Sequence, residues 1–217
     1  MIRFGIDHIL IGLDHILFLF ALLLPAVLIR EEKRWISVPS FRQAFINIVT
    51  IVTFFTIAHS ITLSLAALKV VILPSALVES IIALSIAVAA LHNLYPKFMR
   101  YEWSLAFVFG LFHGFGFASL LEPLNLSGEF LVLTLLGFNL GVEIGQILVI
   151  AILFPILFLL RKRPWYPVRI LKIGSILLIA IGLFCFVERA FEPEALVGFK
   201  QAVKDVLRPI YHAVRDL

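Results

Sequence analysis

The sequence holds a single cysteine, Cys185, and two methionines among its 217 residues. One cysteine excludes an intrachain disulfide and any Cys-based metal motif. Without a thiolate or Met cluster there is also no soft site of the kind that selects Cu(I). Charge is equally scarce: 15% of residues are charged and 62% are hydrophobic, with a mean hydropathy of +1.08. A water-soluble domain cannot cover that much apolar surface, so the bilayer is the solvent that fits. The formal charge of +4 comes mostly from Lys and Arg in short loops, a membrane-orientation pattern that calls for no nucleic acid. A cleavable signal peptide is not expected, because the first apolar run carries charged residues that a signal core lacks.

Six apolar stretches reach or approach the ~20 residues that span a hydrocarbon core: 4–29, 42–68, 71–95, 103–121, 130–160 and 170–188. The fold class expected is therefore all-α, a polytopic integral membrane protein with a six-helix transmembrane bundle over 1–191. Polar or Pro-containing breaks separate the stretches, and Pro155 predicts a tilt or kink late in the fifth. The first, third and fifth loops hold Arg30, Lys33, Arg34 and Arg42, then Lys97 and Arg100, then Arg161, Lys162, Arg163, Arg169 and Lys172. By the positive-inside rule these loops face the cytoplasm of a bacterial-type inner membrane, with the N-terminus outside. Residues 192–217 read as an amphipathic tail helix on the membrane surface. Leu196, Phe199, Val203, Val206, Ile210, Val214 and Leu217 lie opposite Lys200, Lys204, Arg208 and Arg215.

Within the stretches lie four acids, Asp7, Asp14, Glu79 and Glu143, and four histidines, His8, His15, His59 and His113. An Asp at a helix centre costs roughly 2.5–3.5 kcal/mol on insertion scales, so this set is not accidental. No Lys or Arg lies in the interior of any of these stretches to pair with the acids. The carboxylates are then expected to be protonated, bonded to His or neutralised by a bound cation. At ~1.5 Å per residue, the groups fall from ~6 Å (His8) to ~20 Å (Glu143) below the outer surface. They form one layer between the outer interface and the midplane.

Helical spacing orders this layer. Asp7-His8 recurs as Asp14-His15 seven residues on, which predicts two pairs stacked two turns apart on one stripe. Gly12, one turn below His8, leaves room for a neighbouring helix. Thr56 and Ser60 flank His59 as expected supporting donors. Asn139, Glu143 and Gln146 share one face of the fifth stretch, with a Gly137, Gly141, Gly145 packing stripe roughly opposite. The fourth stretch surrounds His113 with glycines. Imidazole and carboxylate together suit a divalent transition metal such as Ni, Co or Zn as the bound ion.

The run His8-Ile9-Leu10-Ile11-Gly12-Leu13-Asp14-His15 resembles the H-x-x-x-G-x-D-H signature of the HupE/UreJ family. Phe55 to Ser60, Glu79 with its neighbours, Phe109 to Phe117 and Phe138 to Gln146 resemble later blocks of that family, in order, from residue 4 to about 190. The resemblance implies a nickel or cobalt permease, or a metal-delivery accessory to metalloenzyme-maturation proteins. It assigns metal binding to His8, Asp14 and His15, with His59, Glu79, His113 and Glu143 completing or relaying the site.

Two function classes follow. In the first, a divalent cation is captured outside by Asp7, His8, Asp14 and His15 and passed to the deeper groups, as in a transporter. In the second, a fixed metal activates water beside Glu143 or Glu79 as general base, as in an intramembrane metal hydrolase. A non-transporting metal chaperone is a third. The expected partners are the divalent metal ion, the lipid bilayer, maturation proteins and, as an open arrangement, a second copy in a homo-oligomer.

Overall fold

A computed structural model of the chain describes residues 1–31, 34–95, 102–116 and 128–191. It is a helical membrane bundle. In chain order, α1 (Ile2–Ile11) and α2 (Leu13–Ala26) lead into a short antiparallel hairpin of β1 (Leu28–Glu31) and β2 (Arg34–Ser37). There follow α3 (Phe41–Ala67), α4 (Ser75–Leu94), α5 (Glu102–Phe115) and α6 (Gly128–Leu160). A π-helical segment, Tyr166–Ile173, then runs directly into α7 (Gly174–Phe191). The hairpin occupies the first polar break, where the sequence showed only loop, and pairs Leu28 with Ser37 and Ile29 with Ile36.

Phe41–Ala67, Ser75–Leu94, Gly128–Leu160 and Tyr166–Phe191 are each long and apolar enough to cross a membrane. The α1–α2 pair makes a fifth span if its 71° bend lies within one crossing. The sixth expected span is not reached among the described residues: α5 has 14 residues, and the rest of that stretch lies outside them. The expected tail helix over 192–217 lies outside them as well.

Local chemistry sets several boundaries. Ser40 caps α3, its Oγ accepting the Gln43 N–H at 3.2 Å. At the other end Lys69 turns left-handed (φ 57°), so that Lys69 and Val70 N–H groups reach the carbonyls of Ala66 and Leu65, both at 3.0 Å. This is the reversal that usually recruits glycine. Pro25 near the end of α2 has no N–H to give the carbonyl of Ala21. Asn93 of α4 supplies the missing donor, its Nδ2 lying 2.9 Å from Ala21 O and 3.2 Å from Ser175 Oγ. The buried Tyr166 hydroxyl donates to Leu24 O at 3.0 Å. Arg161 Nε donates to Val38 O at 3.1 Å while its guanidinium stacks on Phe158, so the hairpin is pinned to the end of α6.

Three helix pairs make the closest packings: α3 with α5, α4 with α7, and α1 with α6. In the last of these, the glycine stripe of α6 is covered by α1. A Cβ on Gly141 would overlap the Ile2 carbonyl, and one on Gly5 the Phe138 carbonyl. The two backbones therefore touch, as small-residue helix interfaces in membranes do. This approach carries His8 into the bundle. The apolar α2 fills the middle, with Phe18, Leu22, Leu23 and Leu24 among the most buried side chains.

Candidate metal centre

The first span is broken at Gly12, which adopts an extended conformation (φ −70°, ψ 92°) as the last residue of one helix and the first of the next. A continuous helix would set His8 and His15 about 10 Å apart along its axis. The break instead folds α2 back, so the two imidazoles meet edge to face with centroids 4.4 Å apart. The stacked two-turn arrangement expected from the seven-residue repeat is thus replaced by direct contact. Gly12 is needed for that contact more than for a neighbouring helix. A Cβ there would lie 2.5 Å from His8 O and 2.8 Å from His15 Nδ1.

Two more histidines close in from α3 and α5. His59 is fully buried, with its ring centroid 6.2 Å from that of His8. His113, also buried, lies 5.0 Å from His15. Gly114 brings α5 against α3 here, because any side chain at that position would overlap the His59 carbonyl and Thr62. Phe18, Phe55 and Phe138 wall the cluster: Phe18 and Phe55 each lie 5.1 Å from His113, and Phe138 lies 5.4 Å from His8. Below His15 a small cavity is lined by Phe18, Leu22, Ile51, Phe55 and Gln146.

One nitrogen each from His8, His15 and His59 lies within 4.8 Å of the other two. Three ligands on one tetrahedral ion with ~2.0–2.1 Å bonds sit about 3.3 Å apart, so the nitrogens lie within about 1.5 Å of ligating separation. The nitrogens themselves point the same way. Both ring nitrogens of His15 and of His59 are buried and make no hydrogen bond among the described residues. His113 Nδ1 lies 2.9 Å from the Phe109 carbonyl and must donate to it, since a carbonyl only accepts. That fixes the tautomer and leaves Nε2, buried and unbonded, as a lone-pair donor beside the other three rings. Buried imidazoles without hydrogen bonds are costly in an apolar bundle. A metal ion would satisfy them.

The acids behave differently from the histidines. Asp7 faces Arg3 on its own helix, 3.7 Å away and well exposed. Asp14 does have a basic partner, contrary to the sequence reading: Arg189 Nη2 lies 2.9 Å from its Oδ2. Arg189 was placed just past the sixth stretch, but α7 continues to Phe191 and brings it back into the bundle. Glu79 and Glu143 are both exposed, and neither belongs to the three-histidine group. Of the supporting residues, Thr56 donates to Gln146 Oε1 at 2.9 Å, and Ser60 turns back to the Thr56 carbonyl at 2.7 Å. Asn139 lies beside His59, its buried Oδ1 making no well-formed hydrogen bond among the described residues. Sequence reasoning missed Arg189 and Asn93. An Arg at a predicted span end and an Asn opposite an in-helix Pro were the available signals.

The family model described as HupE / UreJ protein matches residues 1–189, which takes in every element of this centre except the last turn of α7 beyond 189. The chain belongs to the HupE/UreJ family. No curated protein and no solved structure matches it. The HupE/UreJ family is associated with nickel and cobalt transport or with metalloenzyme maturation.

Proposed function

We propose that the protein is a membrane permease for a divalent transition metal, with nickel or cobalt the preferred cargo and zinc the nearest competitor. The single observation that carries this reading is the convergence of His8, His15 and His59 on one point, with their ligand atoms within 4.8 Å of one another. His113 stands next to them with a fixed lone pair. Imidazole nitrogens without thiolates match nickel, cobalt and zinc rather than softer or harder ions. Asp14 and Asp7 are the outer capture groups in this reading, and Glu79 and Glu143 serve as relay carboxylates. Asn139, Gln146, Thr56 and Ser60 support the rings. The cation enters from the N-terminal, outer side of a bacterial-type inner membrane and continues through the cavity below His15, where Gln146 is the polar lining group. The unit doing this is 1–191.

The hydrolase alternative draws less support. Its general base would be Glu143 or Glu79, and both carboxylates belong to exposed residues rather than to the enclosed cluster. Uptake of radioactive nickel into proteoliposomes containing the purified protein is the test. Uptake by the wild type and its loss in His15→Ala is the expected result. Retention of stoichiometric metal with no uptake of nickel, cobalt or zinc overturns transport and leaves the metal centre standing.

A further inference from the structure

The Asp14–Arg189 pair is the one part of the centre that metal binding by imidazoles does not explain. Asp14 follows the Gly12 break by two residues and sits in the first turn of α2, where a helix N-terminus already favours an anion. Arg189 sits in the last turn of α7. Its Nη2 holds Asp14 Oδ2 at 2.9 Å, and its Nη1 donates to the Glu79 carbonyl of α4 at 3.2 Å. Both side chains are mostly sheltered, at 25% and 22% exposure. Asp14 directly precedes His15 in the chain, so the pair borders the imidazole cluster.

We propose that Arg189 is a tethered counter-cation that occupies the Asp14 carboxylate in the metal-free protein and yields it when a divalent cation enters the imidazole cluster. The proposal rests on the metal-binding reading above. Arginine does not deprotonate in proteins, so this charge cannot be removed, only moved. A doubly charged ion arriving next to His15 repels the guanidinium and attracts the adjacent carboxylate. A singly charged ion does both half as strongly, so the pair acts as a filter for charge. The guanidinium has a place to go. It already touches the backbone of Glu79, whose exposed carboxylate belongs to the same residue. Glu79 then receives the displaced cation, and α2, α4 and α7 are linked to occupancy of the centre.

Calorimetric titration of Ni²⁺ into the detergent-purified full chain tests this. R189Q should bind at least tenfold more tightly than wild type, and R189K should stay within threefold of it. The gain should vanish in the double variant D14N/R189Q, as a pairwise coupling requires. A merely structural clamp gives the opposite sign, weaker binding together with a lower melting temperature in R189Q. Should R189Q not fold, ¹⁵N guanidinium NMR of the wild type reads the same event, with the Arg189 signal assigned by its absence in R189K. The Arg189 Nε resonance should shift on saturation with diamagnetic Zn²⁺; an unmoved resonance overturns the proposal, as does equal or weaker binding by R189Q. If the wild type binds Ni²⁺, His15→Ala does not, and R189Q equals wild type, the tethered-cation proposal alone falls. If neither wild type nor R189Q binds, the metal reading falls and takes this one with it.

Discussion

The bundle has two polar regions, and they treat buried hydrogen-bonding groups in opposite ways. At the end that carries the β-hairpin, Asn93, Tyr166 and Arg161 each donate to a backbone carbonyl. At the other end, the rings of His15, His59 and His113 present buried nitrogens that make no hydrogen bond among the described residues. Both regions face the same low-polarity surroundings, where an unsatisfied group costs ~1–3 kcal/mol. The first region spends side chains on stability. The second carries an energetic penalty that a bound cation would remove.

Substitutions can break this contrast. The largest effect is expected for His15→Leu, which should lower Ni²⁺ affinity at least a hundredfold by titration. It should leave the melting temperature of the metal-free protein unchanged or higher, because an unsatisfied group is exchanged for an apolar one. Asn93→Leu should do the reverse. Thermal unfolding in detergent should show a loss of about 1–3 kcal/mol from the exposed need of Ala21 O, with metal affinity unaltered. A drop in affinity equal to that of His15→Leu would remove the distinction between the two regions.

Gly141→Leu sits between them. It forces α1 away from α6, so unfolding should show about 1–3 kcal/mol of overpacking cost, and Ni²⁺ affinity should fall about tenfold as His8 leaves the cluster. Intact affinity in a stable variant would mean that His8 is not held by this interface. Lys69→Gly is the smallest change and lies away from both regions. Relief of the left-handed turn should add about 0.5–1 kcal/mol of stability with no change in binding.

The helical membrane class was legible from the apolar stretches, because hydropathy over twenty residues needs no tertiary information. The membership of the cluster was legible too, since a histidine in a span is conspicuous wherever it lies. Its geometry was not. A seven-residue repeat of Asp-His looks the same in a straight helix and in a bent one, and only the conformation at Gly12 distinguishes them. The reading of unpaired carboxylates failed for a related reason. Arg189 lies one residue beyond an apolar run, and hydropathy cannot tell an arginine that leaves the bundle from one that turns back toward Asp14. The role of Asn93 was not legible, because its partner is a carbonyl freed by Pro25, 68 positions earlier in the sequence. Pairings of this kind depend on which helices are neighbours, and periodicity within one helix carries no record of that.

The contact between α1 and α6 also orders events during synthesis. The residues that seat His8, from Phe138 to Gly145, emerge from the ribosome more than a hundred residues after it. Until they do, α1 is a ten-residue helix, about 15 Å long and too short to cross a bilayer alone. The histidine cluster is therefore completed late, once α6 has inserted and given α1 a glycine-lined surface to lie on. A nascent chain that has not reached Gly141 lacks the seat for His8.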